Sequence, residues 1–212
     1  LTGIVVALAC GVLPMLAYAA ILWWLDRYEK EPVGLLVAAF VWGAVPAVVF
    51  SLLVELVLGV PVALLVDPAS AGMISTALIA PVAEEAFKGL ALVLMFVFFR
   101  RELDSPLDGI LYGGLVGFGF AAVENIFYFT GTFLEAGLGS MLTLALLRAV
   151  LFGLNHALFT GLTGLGLALA RTERRWAVKI AAPLVGLAAG TAAHLIHNAS
   201  VTLAPDLVWP CF

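Results

Sequence analysis

The chain has 212 residues, 64% hydrophobic and only 11% charged, with a net charge of −4. Soluble domains carry about 25% charged residues, so no soluble domain fits beside the apolar segments and residues 1–212 are expected to form a single membrane domain. The composition offers no basic surface for nucleic acid, and the alternation of a membrane β-barrel is missing.

Apolar runs of about 20 residues indicate transmembrane helices. In chain order they fall at about 3–25, 33–59, 72–99, 109–131, 141–170 and 180–203. The expected architecture is therefore an all-α integral membrane protein, a bundle of six to eight helices with a polar site buried inside it. The first run has no basic residue ahead of it and lacks signal-peptide form. Leu1 in place of a Met suggests a trimmed start. Pro46 and Pro81 are expected to kink their helices, and a short separate helix around 72–80 would fit the third run. Cys10 and Cys211 give neither a disulfide framework nor metal-site spacing.

The loops predict an orientation. Arg27 and Lys30, then Arg100 and Arg101, then Arg171, Arg174, Arg175 and Lys179 lie on alternate loops. The positive-inside rule puts those loops in the cytoplasm and both termini outside. Only Lys88 and Arg148, of the 10 basic residues, lie within apolar runs.

Those runs also hold Glu84, Glu85, Glu124, Asn125, His156, His194, His197 and Asn198. A charge at the centre of a bilayer costs roughly 2.5–3.5 kcal/mol on insertion scales, which points to a functional interior. Counting 1.5 Å per residue from the cytoplasmic helix ends puts Glu84, Glu124, His156 and His194 all at roughly 21–22 Å. Four residues from four helices at one depth predict one shared site. Gly113 with Gly117, and Gly186 with Gly190, have the small-xxx-small spacing that lets helices converge around it.

Glu84 and Lys88 share a helix face, whereas Glu85 is turned about 100° away. Two neighbouring carboxylates can therefore take different roles, one as a base acting on water, with Lys88 neutralising one of them. Glu124 and Asn125 can orient water or bind a metal. His194 and Asn198 share a face, and His197 is the weakest candidate. Two chemistries fit. In one, Glu84 activates water while a histidine and Asn198 stabilise an oxyanion. In the other, His156, His194 and Glu124 hold zinc, leaving a glutamate as base. The HExxH signature is absent, so a zinc shell would be assembled from separate helices. Glu55 and Arg148, near the outer helix ends, are expected to pair with each other or to line an entrance.

Taken in order, Glu84-Glu85-x-x-Lys88, Phe120-x-x-x-Glu124-Asn125, His156-x-x-x-Thr160 and His194-x-x-x-Asn198 resemble the four motifs of PrsW-type intramembrane proteases. Asp26-Arg27-Tyr28-Glu29-Lys30-Glu31-Pro32 is similar to that family's start. The wider clan includes CAAX prenyl endopeptidases and bacteriocin-immunity-type membrane proteases. Those typically have histidine in the second motif, where this chain has Glu124 and Asn125. The resemblance implies peptide-bond hydrolysis in a prokaryotic plasma membrane, with Glu84 and Glu85 as essential acids and His156 and His194 as essential histidines. It implies a membrane-anchored protein substrate, such as an anti-sigma factor, and has been attached to both metalloprotease and glutamate-protease chemistry. A transporter using the same carboxylates, or a non-catalytic scaffold of the same fold, are the competing readings. No internal repeat favours the transporter.

Overall fold

A computed structural model describes residues 2–26 and 30–203 of the chain. Arg27 of the first basic loop and Cys211 lie outside the described residues. Every element among the described residues is helical. The elements are α1 (Thr2–Leu25), α2 (Val33–Trp42), α3 (Val48–Leu65), α4 (Pro68–Ile74), α5 (Ala80–Phe98), α6 (Pro106–Ala145), α7 (Asn155–Thr172) and α8 (Trp176–Leu203). Wider π-helical turns at Gly43–Ala47 and Ser75–Ile79 join α2 to α3 and α4 to α5, and a third at Leu146–Leu151 extends α6.

Four helical stretches among the described residues are long and apolar enough to cross a membrane: Thr2–Leu25, Val33–Leu65, Pro106–Thr172 and Trp176–Leu203. Large apolar side chains face outward along them, Leu64 at 82% exposure being the extreme, as expected of a surface solvated by lipid. The third run, α4 through α5, holds the charged cluster Glu84, Glu85 and Lys88, all of them buried. The predicted short helix at 72–80 is not separate: it begins at Pro68 and continues through the π turn into α5. Four stretches fall short of the expected six to eight helices: the α4–α5 run is not among them, and the 67-residue stretch Pro106–Thr172 is interrupted at Gly137, whose φ is 83°.

Past Gly137 the chain runs back along α6, bringing Arg148 beside Glu124 and Asn125. It then breaks at 152–154 before α7 begins. This corrects the expected continuous span at 141–170. His156 stands in the first turn of a helix rather than in the middle of one.

Helix α6 is the central post. Ser105 and Asp108 start it with a capping box, each side chain accepting from the other's backbone N–H. Its glycines let neighbours approach to backbone contact. A Cβ on Gly113 would lie 2.6 Å from the Thr160 carbonyl oxygen, and one on Gly117 would overlap the His156 carbonyl. Glycines 186 and 190 play the same part between α8 and α7, against the Leu162 and Phe159 carbonyls. On the opposite side of α6, Gly119 and Gly43 close the contact with α2. Two apolar clusters pack around α6: Leu92, Leu111, Tyr112 and Val116 in one, and Met15, Phe118, Phe129 and Met141 in the other. Gly117→Ala is accordingly expected to cost about 1–3 kcal/mol through overpacking and to move His156. Denaturation in detergent measures the first effect; loss of activity beyond what the remaining folded fraction explains reports the second.

Asp26 and Glu31, between α1 and α2, are buried. Glu31 donates its backbone N–H to Asp26 Oδ2 (3.0 Å) and accepts from Tyr112 Oη at Oε2 (2.6 Å). Burial pushes the Glu31 carboxyl up from 4.5 to about 7, helped by the nearby acids Asp108, Glu102 and Asp26 and opposed by the Tyr112 hydrogen bond. The folded chain then holds a proton that the unfolded chain has released. This contribution is complete below pH 4.5 and is lost as pH rises through about 7. Unfolding midpoints measured across that range should fall with rising pH, and Glu31→Gln should flatten that part of the slope.

Candidate active site

Four segments meet at one level. Helix α5 brings Glu84, Glu85 and Lys88, α6 brings Glu124 and Asn125, the start of α7 brings His156 and Thr160, and α8 brings His194. Glu85, Lys88 and Thr160 are fully buried, Glu84 and His194 nearly so. The shared depth read from the sequence is thus matched by direct contact.

Lys88 is at the centre. Its Nζ lies 3.0 Å from Glu84 Oε2, 2.9 Å from Glu85 Oε1 and 3.1 Å from His156 Nδ1, and 3.8 Å over the Phe120 ring. An ammonium has three hydrogens and no acceptor, so these contacts use all three. The single charge of Lys88, expected to neutralise one acid, is shared, because from one turn along α5 it reaches both.

The two acids differ, as expected, but in a way only contacts reveal. Both oxygens of Glu85 are engaged: Oε1 with Lys88 and His194 Nδ1 (3.0 Å), and Oε2 with the Thr160 hydroxyl (3.0 Å). Glu84 lines a cavity of about 230 Å³ with Ser51, Glu55, Thr76, Glu124 and Asn198. Glu85 is therefore locked in place, whereas Glu84 faces space that water can fill. With Nδ1 donating to Glu85, His194 turns Nε2 toward Glu84 Oε2, 3.9 Å away. The ring is held by stacking on Phe159, with centroids 4.8 Å apart, and by an edge contact with His156 at 5.1 Å.

Asn198 reaches the cavity wall and donates to the Thr76 carbonyl at 3.0 Å. The sequence explains why that carbonyl is free. In the π turn the Ala80 N–H goes to the Ser75 carbonyl, and the next residue, Pro81, has no N–H to give.

Glu124 accepts from both Arg148 Nη2 and His156 Nε2, each at 2.8 Å on Oε2. Arg148 also donates through Nε to Asn125 Oδ1 (3.2 Å) and lies 3.9 Å over the Tyr128 ring. Arg148 thus pairs with Glu124 and not with Glu55, because the fold-back at Gly137 returns it along α6. Glu55 keeps the other expected role, on the cavity wall. His197 stands off the cluster, its Nδ1 3.5 Å from Asn155 Nδ2.

A second group of possible metal ligands stands beside the expected one. Glu84, His156 and His194 each offer a ligand atom, all within 4.8 Å of one another. This group has Glu84 where the expected one has Glu124, whose Oε2 accepts from Arg148 and His156. Two imidazoles and a carboxylate suit zinc, and the Glu85–His194 bond is the kind of outer carboxylate that orients a metal-binding histidine. The donor set fits such an ion in kind. Lys88 is its competitor, since it already holds Glu84 and His156 Nδ1.

A lipid-faced helical bundle enclosing a buried acid–histidine site defines an integral membrane protein with internal hydrolytic potential. The model of the PrsW family intramembrane metalloproteases matches residues 31–211. The chain belongs to that family. It is 32% identical over 158 residues to Protease PrsW of Geobacillus kaustophilus, covering 74% of this chain and 63% of that protein. Against Protease PrsW of Oceanobacillus iheyensis the identity is 30% over 81% of this chain and 73% of the relative, and against that of Bacillus subtilis 28% over 77% and 68%. The chain thus spans a little under two thirds of the Geobacillus protein's length. No solved structure matches it.

Proposed function

We propose that the chain is an intramembrane endopeptidase that hydrolyses a peptide bond of a membrane-anchored protein. The observation that carries this reading is the asymmetry of the paired acids: Glu85 enclosed and fully bonded, Glu84 at the wall of a cavity of about 230 Å³. Family membership and relatives named as proteases support it.

In the mechanism, Glu84 takes a proton from a cavity water as the water oxygen adds to the scissile carbonyl carbon. Glu85 holds His194 at Nδ1. The amide hydrogen of Asn198 not used by Thr76 stabilises the oxyanion that forms. Collapse breaks the C–N bond, and the protonated Glu84 returns its proton to the departing amine. Where a metal is bound, Glu84, His156 and His194 would hold it, supplying Lewis-acid polarisation of the carbonyl or of water. Because Lys88 and Arg148 already compensate the acids, removal of divalent ions should leave the unfolding midpoint unchanged, which thermal denaturation with and without chelator checks.

We place the basic loops in the cytoplasm and both described ends outside, so the cavity opens in the outer half of the bilayer. An anti-sigma factor, the substrate implied by the resemblance, is the first to try. The decisive experiment is reconstitution of the purified chain with single-pass substrates in liposomes. Specific cleavage within or next to the substrate's membrane segment supports the reading. Substrate-dependent ion flux without cleavage overturns it.

A further inference from the structure

We propose that Arg148 is a positioning residue: acting through Glu124, it fixes which nitrogen of His156 carries the proton. The Lys88 ammonium can only donate, so at 3.1 Å from its Nζ the His156 Nδ1 must present a lone pair. The imidazole proton then sits on Nε2, where Glu124 Oε2 accepts it at 2.8 Å. That arrangement needs a Glu124 oxygen held in a fixed pose to accept from Nε2. Arg148 holds it, with Nη2 on the same oxygen and Nε on Asn125 next to it in sequence. Without Arg148, the remaining cation in the cluster is Lys88, on the far side of the His156 ring and already shared between Glu84 and Glu85.

Three further features indicate that this pose is built. Arg148 rides on the π turn Leu146–Leu151, closed by the Phe152 N–H to the Leu147 carbonyl at 2.9 Å, and such turns are frequent at functional sites. Its guanidinium carbon lies 3.9 Å from the Tyr128 ring centre, restricting rotation. Asn125 is buried with its Nδ2 unpartnered among the described residues, an expense that makes sense if the amide is there for its oxygen. A cavity of about 20 Å³ beside it, lined by Asn125, Arg148, Asn155, His156 and His197, has room for one water.

The proposal rests on the proteolytic reading only for its effect on turnover, and its primary test does not depend on cleavage. Nitrogen-15 NMR of histidine-labelled full chain in lipid should show His156 with an unprotonated Nδ1 and a protonated Nε2. In Arg148→Ala that signal should be replaced by mixed tautomers. If proteolysis holds, kcat should fall about 10- to 100-fold, as for other residues that orient a catalytic histidine from behind, with KM unchanged. Guanidinium added to the buffer should restore part of both signals. If the alanine variant does not fold, Arg148→Lys carries the test, because a single ammonium cannot bridge Glu124 and Asn125 as the guanidinium fork does. A wild-type tautomer in the variant, or a loss confined to KM, overturns the proposal. A chain that cleaves nothing, yet shows the Arg148-dependent tautomer, overturns the proteolytic reading and leaves this inference standing.

Discussion

Glu84→Gln should remove cleavage almost entirely, by about 100- to 10,000-fold in kcat, while the protein stays folded. Glutamine keeps the size of the side chain and can still accept from Lys88 through its carbonyl oxygen, but it cannot take a proton from water. The cavity that makes Glu84 accessible also makes the exchange tolerable, because this side chain is not enclosed by partners as Glu85 is. Glu85→Gln is a different experiment. It breaks the bonds to His194 and Thr160, so stability and activity should fall together. Single-turnover cleavage by both purified variants, beside their unfolding curves, separates the two roles. Normal turnover by Glu84→Gln would remove the proposed base.

Lys88→Met should be the most destabilising substitution in the bundle, at about 3–5 kcal/mol, the usual cost of taking one partner out of a buried ion pair. Methionine fills the volume but leaves two carboxylates facing each other without the cation that bonds both at 2.9–3.0 Å. Adding Glu85→Gln to Lys88→Met removes one of the stranded charges, so the double variant should lose less than the two single losses combined. A double-mutant cycle by chemical denaturation reads this coupling directly. Simple additivity would show that the ammonium does not bind the two acids into one unit. The cycle also bears on metal use. Removing the ammonium frees Glu84 and His156 Nδ1, so the variant should retain more zinc than the wild type on elemental analysis.

The amino-acid sequence by itself determined the class and the cast of this protein. Eleven per cent charge spread over apolar runs leaves only a membrane bundle. Charges are costly in lipid, so Glu84, Glu85, Lys88, Glu124, His156 and His194 could be picked out one by one. The equal depth of Glu84, Glu124, His156 and His194 followed from helix rise alone, and the glycine spacing marked where α6, α7 and α8 touch. The tertiary structure decided the assignments within that cast. Which acid is free and which is locked depends on contacts across 75 and 109 residues of chain, from Thr160 and His194 to Glu85, and no local spacing encodes these. Arg148 looked like an end-of-helix residue because the sequence gives a span its length but not its breaks. A single glycine with positive φ and a π turn brought the side chain back to Glu124. Helical periodicity specifies the face a residue occupies. Only the packing of one helix on another sets what that face meets, and for these carboxylates the partner decides the chemistry.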